Sequence, residues 1–274
     1  MSGQPDGLTV YWGPWKPSAV LSGPPGLRYV PEKFELVGVG GSYYVTLIRT
    51  DVAPGIKKST DVLKSPMFNV GGRSSSLVID VLGNLSMAML GVKYRFVGGY
   101  RGMNKIRPAL VSNEVQAVNS GHVGYHVFFK DNEIKAGKVM ALWYHPTFDI
   151  NGNPEPSPAF PGEPSFVDVY KEVRGKMPSG PEWDAYKWYL TVAAGTSMSM
   201  FAPPGTPSNA IAALRKGHAA TTTDKKYVAA MTKRIGAPIR FISVDEGLKV
   251  LKTYREVSPA VKAVFERMGK VGQK

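Results

Sequence analysis

The chain has 274 residues, 43% of them hydrophobic and 11% aromatic, which is enough for one large domain or two lobes with buried cores. The absence of cysteine excludes disulfides, thiolate metal sites and a cysteine nucleophile, and no apolar run reaches the roughly 18 residues of a membrane span. Lysine and arginine total 34 against 21 acidic residues, and the net charge of +13 favours acidic partners: nucleic acid, anionic membrane or small anions.

The first 50 residues contain three strand-like runs, at residues 8–12, 34–39 and 43–48. After them, a short helix, a strand and a glycine-rich turn alternate three times between residues 59 and 121. The strands of this segment are predicted at residues 67–70, 94–97 and 115–118. Strands that alternate with helices at this spacing predict the α/β class, with a mostly parallel sheet built from βαβ units.

The second half of the chain differs from the first in composition and in its predicted secondary structure. Residues 146–182 are rich in proline, glycine and acidic side chains, which predicts a surface excursion, and residues 189–192 and 199–202 are predicted to be extended. The last 70 residues are predicted to be helical, because their helix starts are well marked. These starts are Pro207, Asp224, the capping box of Ser243 and Glu246, and Pro259.

The order of five motifs resembles the receptors of tripartite tricarboxylate transporters, the Bug-type solute-binding proteins. The motifs are PDGLTV at 5–10, FELVG at 34–38, GGYRG at 98–102 with EV at 114–115, IKAGKV at 134–139, and FAPPGTP at 201–207 with ALRK at 213–216. The resemblance implies a two-lobed periplasmic-binding-protein fold of type II, the Venus-flytrap arrangement, with a mostly parallel sheet in each lobe. Lobe 1 is then expected at residues 1–46 and 199–274, and lobe 2 at residues 47–198.

The same resemblance implies a periplasmic receptor that captures a small organic carboxylate in a cleft between the lobes. The receptor would deliver it to the membrane permease subunits of a tripartite transporter. We expect a monomer without cofactor or metal that carries out no chemical step. Two alternatives stay open: a sensory protein that passes ligand occupancy to a signalling partner, and an enzyme that uses the same cleft.

The sequence departs from the family pattern in two places. Family members carry a signal peptide and the first strand of lobe 1 ahead of the segment that matches residues 5–7. We therefore expect lobe 1 to be incomplete at the N-terminus here, either because Met1 is a misplaced start or a fragment boundary, or because this is a degenerate member. Our hypothesis is that the natural gene extends upstream. In addition, Gln116 stands where the family usually has Asp, and residues 119–122 diverge from the family's turn. The identity of the ligand therefore stays open.

Candidate ligand-binding residues lie at turns that follow predicted strands, where open α/β sheets bind their ligands. Helix N-termini offer unpaired backbone N–H groups and partial positive charge to a carboxylate, and small residues let an anion approach the backbone. The candidates in lobe 2 are Gly72, Arg73, Ser74, Ser75, Ser76, Gly98, Gly99, Tyr100, Asn119, Ser120, Gly121 and His122. Those in lobe 1 are Gly13 and Trp15.

Several of these candidates have an equally simple structural interpretation. The three serines would cap a helix, Arg73 would be a solvated surface residue, and the glycines at 98 and 99 would serve packing. Tyr100 is as compatible with the core as with a ligand, and Trp15 fits the description of a partly buried structural tryptophan.

Enzyme and nucleic-acid motifs are missing from the sequence. There is no GxSxG, HExxH or GxxxxGK[ST] motif, and the four histidines share no metal-ligand spacing with acidic residues. Among the basic residues of the C-terminal helices from Arg215 to Arg234, the single interleaved Phe, Trp or Tyr is Tyr227, whereas a nucleic-acid module interleaves several aromatics. We therefore interpret these helices as solvated faces and expect no nucleic-acid partner.

Overall fold

The computed structural model describes residues 3–15, 17–22, 30–148 and 152–271, and it divides the chain into two compact units. Strands β1–β11 are, in chain order, Tyr11–Gly13, Glu35–Gly41, Tyr44–Arg49, Phe68–Gly71, Tyr94–Val97, Ala117–Gly121, Val139–His145, Thr147–Phe148, Pro154–Glu155, Met198–Ala202 and Arg240–Ile242. Helices α1–α10 are Pro17–Ser22, Val78–Leu90, Met103–Val111, His122–Gly124, Phe166–Arg174, Pro181–Trp188, Ser208–Thr223, Lys225–Ile235, Val244–Thr253 and Pro259–Gly269. Two π-helical segments, Tyr125–Ile134 and Tyr189–Ala194, continue α4 and α6, and 3-10 turns lie at Pro31–Lys33 and Ser59–Lys64. No helix in these ranges is both long and apolar enough to cross a membrane.

The first unit comprises Met1–Ser42, Thr191–Arg234 and Pro238–Ser258. Its four-stranded sheet has the order β1-β10-β2-β11, and helices α7 and α9 pack against β2. All neighbouring strands in it are antiparallel, so the mostly parallel sheet expected for this lobe is wrong. Strand β10 runs antiparallel to its neighbours β1 and β2, and β11 runs antiparallel to β2. A parallel pair would require two neighbouring strands that run the same way, joined by a crossover connection.

The second unit comprises Tyr43–Leu190, Ile235–Ala237 and Pro259–Lys274. Its five-stranded sheet has the order β5-β4-β6-β3-β7. Strand β4 is parallel to β5 and β6, as the βαβ alternation predicts, whereas β3 is antiparallel to β6 and β7. The α/β class is therefore confirmed, with a sheet of mixed orientation in this unit. A separate two-stranded ribbon joins β8 and β9.

Alternation along β3 separates the two faces of this sheet. Val45 and Leu47 enter a core cluster that includes residues of α3 and of the π-helical segment after α4. Thr46 lies on the other face, where α2 packs against β3 and β6. Thr46 is fully buried although it is polar, and one of its hydrogen-bond partners, Asn119, is a candidate site residue.

The helix starts read from the sequence are confirmed where side-chain caps form. The carboxylate of Asp224 accepts the backbone N–H groups of Lys226 at 2.8 Å and Tyr227 at 3.0 Å. Ser243 and Glu246 form the reciprocal capping box of α9. Such local patterns are reliable because all participating groups lie within one helical turn.

Two other predictions are wrong because tertiary packing decides them. Residues 146–182, of which 149–151 lie outside the described residues, contain the helix α5 and bury Phe160 and Phe166 rather than forming only a surface excursion. The run at 189–192, predicted as extended, is π-helical, and Tyr189 packs its ring against Phe265 at 5.1 Å. A short apolar run does not distinguish a strand from a buried helix.

The same packing accounts for the position of α10. We expected all C-terminal helices in lobe 1, but α10 belongs to the second unit. Its Phe265 contacts the rings of Trp188 and Tyr189, with centroids 4.6 and 5.1 Å away, and Arg267 pairs with Glu182 at 2.8 Å. These contacts join α10 to α6.

Candidate functional site

The three segments predicted as turns lie side by side at one edge of the sheet in the second unit, although residues 119–121 are the last residues of strand β6 rather than a turn. Strands β5, β4 and β6 are adjacent and parallel, so their carboxyl ends meet at the same edge. The backbone N–H of Gly72 donates to the carbonyl of Val97 at 2.9 Å, and that of Gly99 donates to the carbonyl of Arg73 at 3.1 Å. The turns after β4 and β5 are thus joined directly, and β6 brings residues 119–122 beside them.

The turn after β4 is held by a carboxylate that sequence reasoning missed. Helix α2 begins at Val78, two residues beyond the serines. One oxygen of Asp80, in the first turn of this helix, accepts the backbone N–H groups of Arg73 at 2.9 Å and Ser74 at 3.0 Å. These donors were candidates for binding a ligand carboxylate, but the chain's own Asp80 occupies them. An acidic residue in the first turn of the helix was the available signal.

Asp80 is almost completely buried, with 1% of its surface exposed. Burial raises the pKa of its carboxyl to about 6, against the effect of the two backbone N–H groups, the nearby amide of Asn119 and the charge of Arg73. At neutral pH the carboxylate is therefore mostly ionised beneath the turn.

The three serines play different parts. Ser75 is buried, and its Oγ donates to the carbonyl of Gly269 at 3.0 Å, which ties the turn to the end of α10. The hydroxyls of Ser74 and Ser76 lie 3.0 Å apart and are half-buried. Arg73 is exposed, and its guanidinium makes no ion pair within the described ranges. Ser74, Ser76 and Arg73 thus keep groups that a ligand can use.

The turn after β5 contains two exposed glycines and an anchored tyrosine. Gly99 has a φ of +101°, and an added Cβ would meet nothing within 4 Å, so the position requires glycine for its backbone conformation rather than for space. Tyr100 is half-buried, and its hydroxyl donates to a carboxylate oxygen of Glu114. Burial and this carboxylate raise the pKa of Tyr100 to about 12. The hydroxyl is therefore already engaged.

The end of β6 presents a buried imidazole with an unused donor. The backbone N–H of Tyr43 donates to Nδ1 of His122 at 3.4 Å, and the N–H of His122 donates to the carbonyl of Tyr43 at 2.9 Å. A neutral ring that accepts at Nδ1 carries its proton on Nε2. The Nε2 atom of His122 is buried and has no hydrogen-bond partner among the described residues. Burial, with a smaller contribution from His126, lowers the pKa of His122 to about 4, so the ring is neutral at pH 7.

The residues just before His122 are buried and polar. Asn119 accepts the hydroxyl proton of Thr46 at Oδ1, 2.9 Å away, while its Nδ2 makes no hydrogen bond within the described part of the chain. Ser120 is fully buried and donates to the carbonyl of Gly121 at 3.0 Å. Gln116, the departure from the family pattern, lies before β6 and accepts the N–H of Asn69, away from this edge.

The two candidates in the first unit, Gly13 and Trp15, are buried and packed among other residues of that unit. Gly13 is buried at the end of β1, opposite Ser199. Trp15 is buried, its indole N–H donates to Thr196 Oγ1 at 2.8 Å, and its ring meets Tyr254 edge-on at 5.2 Å. The polar atom of Trp15 is therefore already satisfied, which favours the structural interpretation left open above.

Of the remaining histidines, His145 and His218 are buried, and His126 is half-buried. His145 lies between Thr46 and Tyr186, and the ring of His218 covers Gly38 in the first unit. A polar residue inside an apolar strand run was the signal for Thr46 and His145. Across the described ranges, no three His, Cys, Asp or Glu side chains are grouped to hold a metal ion.

Comparison with known proteins finds similarity at the level of structure. No family model matches the chain, and no curated protein matches it. A TctC solute-binding protein from Polaromonas is 15% identical, with a TM-score of 0.61 over 97% of this chain and 80% of that one. MatC from Rhodopseudomonas palustris, solved with bound malate, is 18% identical, with a TM-score of 0.59 over 98% and 81%. An R. palustris protein solved with adipate is 16% identical, with a TM-score of 0.63 over 99% and 80%. The fold implied by the motif resemblance is thus confirmed: this chain has the fold of the TctC- and Bug-type solute-binding proteins.

Proposed function

We propose that the protein is a solute-binding receptor that captures a small organic carboxylate at the carboxyl edge of the second unit's sheet. The observation that carries this proposal is the Nε2–H group of His122, a buried donor without an acceptor among the described residues. Leaving such a donor unpaired costs about 1–3 kcal/mol, which a ligand acceptor recovers. The neighbouring turn adds the exposed charge of Arg73 and the hydroxyl pair of Ser74 and Ser76.

Several properties favour an anion over a cation. The carboxylate of Asp80 is already engaged by two backbone N–H groups, so it offers little to an ammonium group. The chain carries a net charge of +13, which attracts anions in general. Two solved proteins with the same fold contain malate and adipate, and both of these ligands are dicarboxylates.

Transport is the role that we propose for this binding. The receptor would lie in the periplasm and deliver its ligand to the membrane permease subunits of a tripartite transporter, without a chemical step. The motif resemblance and the shared fold support this role. A sensory role would use the same site, and an encoded permease or histidine kinase beside the gene separates the two.

An enzymatic role has less support from the geometry. His145 approaches the hydroxyl of Thr46 at 3.2 Å, which pairs a hydroxyl with a potential base. Both side chains are at least 98% buried, however, so a substrate does not reach them. Turnover assays on any bound ligand provide the direct check.

Titration calorimetry with malate and adipate tests the proposal, with glucose and putrescine as a neutral and a cationic control. The variant His122→Leu removes the donor, and we expect it to weaken dicarboxylate binding by about 1.5–3 kcal/mol, the contribution of a hydrogen bond to a charged group. His218→Leu is the matched control, because His218 also has a buried Nε2 without a partner in the described structure but belongs to the first unit. Tighter binding of glucose or putrescine than of either dicarboxylate would contradict the proposal, as would unchanged affinity in His122→Leu.

A further inference from the structure

A continuous line of hydrogen bonds crosses the interior of the second unit. It begins at the hydroxyl of Tyr186 in α6, which lies 2.7 Å from Nδ1 of His145 in β7. Nε2 of His145 lies 3.2 Å from Oγ1 of Thr46 in β3, and that oxygen lies 2.9 Å from Oδ1 of Asn119 in β6. All four side chains are at most 2% exposed, so water does not compete for these bonds.

The chemistry of the groups fixes the direction of each bond. Oδ1 of Asn119 accepts only, so Thr46 must give it the single proton of its hydroxyl. The oxygen of Thr46 then accepts from Nε2–H of His145, and Nδ1 of His145 accepts from the hydroxyl of Tyr186. A neutral imidazole protonated on Nε2 satisfies every bond, and burial lowers the pKa of His145 to about 3, which keeps the ring neutral.

The line ends at the candidate site. Because Oδ1 of Asn119 accepts the hydroxyl proton of Thr46, Nδ2 of the same amide faces away from Thr46. The amide lies flat against Gly83 of α2, where an added Cβ would stand 2.0 Å from Oδ1. The amide also lies near the carboxylate of Asp80, which it helps to keep ionised. Asp80 in turn holds the backbone of Arg73 and Ser74.

A buried line of hydrogen bonds of this kind adds little stability beyond what well-packed apolar side chains would supply. Removing a buried polar network in favour of well-packed apolar residues is often neutral or stabilising, whereas a half-satisfied network is costly. Tyr186, His145 and Thr46 each have hydrogen-bond partners along the line. Nδ2 of Asn119, at the end of the line beside the candidate site, has none among the described residues. The arrangement of the line is therefore better explained by the geometry that it imposes on Asn119.

We propose that Tyr186, His145 and Thr46 are positioning residues that fix the amide of Asn119 and thereby preorganise the turn at residues 72–76 for its ligand. The ligand part of this inference rests on the proposed function. The positioning part concerns the ligand-free protein and stands independently.

Malate is the probe for the ligand part. Thr46→Val keeps the β-branched shape but removes the hydroxyl, and we expect about fivefold weaker malate binding, equivalent to one neutral hydrogen bond. Thr46→Ser restores the hydroxyl and should restore most of the affinity. Tyr186→Phe should weaken binding in the wild-type background but cause no further loss when combined with Thr46→Val, because the line is already broken. Wild-type affinity in Thr46→Val, or an additive loss in the double variant, overturns the inference.

A second measurement needs no ligand. Nitrogen-15 NMR of the His145 ring should show a neutral imidazole protonated on Nε2 between pH 5 and 8, and Tyr186→Phe should change the Nδ1 shift. A ring protonated on Nδ1, or a charged ring at pH 6, overturns the proposed direction of the bonds. If the wild-type protein binds no carboxylate while the ring has the expected tautomer, the proposed function fails and the positioning line stands.

Discussion

Replacing Asp80 by asparagine should change how stability depends on pH. The side chain keeps its shape, and its amide oxygen can still accept the backbone N–H groups of Arg73 and Ser74. Burial raises the pKa of this carboxyl from 3.8 to about 6. Between pH 3.8 and about pH 6, the folded state therefore keeps a proton that the unfolded state has already released. The stability that protonation contributes is complete below about pH 4 and is lost as the pH rises through 6.

The size of the effect follows from the shift in pKa. Two pKa units correspond to about 3 kcal/mol, since each unit is about 1.4 kcal/mol of differential interaction. Relative to the wild type, Asp80→Asn should therefore gain up to about 3 kcal/mol in the free energy of unfolding between pH 4 and pH 7. The comparison with the wild type cancels the contributions of all other titrating groups.

Denaturant unfolding at several pH values between 4 and 7.5 measures this difference for both proteins. Asp131→Asn, which removes an exposed carboxylate, controls for the change in net charge. A difference between Asp80→Asn and wild type that stays constant with pH would refute the reasoning. A wild type that becomes relatively more stable toward pH 7 would show instead that hydrogen bonds to the carboxylate outweigh its burial.

Four further substitutions, at three positions, separate packing from binding. Ser75→Ala should lower the free energy of unfolding by about 1 kcal/mol because it removes the hydrogen bond to Gly269, and Ser75→Asp should cost more because a carboxylate then faces that carbonyl. Gly83→Ala should destabilise the second unit by about 1–3 kcal/mol, since its Cβ would overlap the amide of Asn119, and NMR should show the shifted amide. Trp15→Phe should cost about 1 kcal/mol for the lost indole hydrogen bond and leave malate affinity unchanged; weaker malate binding would restore this residue to the ligand site.

Local patterns in the sequence were sufficient where the interacting groups are close in the chain. Asp224 and the capping box of Ser243 and Glu246 depend only on one helical turn, so their residue types predict their bonds. The adjacency of the turns at Gly72 and Gly98 was also predictable, because neighbouring parallel strands end at one edge of a sheet.

The sequence did not reveal which distant groups meet in the interior. The antiparallel sheet of the first unit joins strands from separate parts of the chain, and no periodicity in a single strand specifies its neighbour. Asp80 takes the backbone donors that the sequence pattern assigned to a ligand, and only the packing of α2 places it there. His145 and Tyr186 likewise meet across 41 positions of sequence. Thus the sequence determined the class of fold and the edge where the candidate site lies. Tertiary packing decided which donors remain available, because hydrogen-bond partners in a buried core are set by proximity in space.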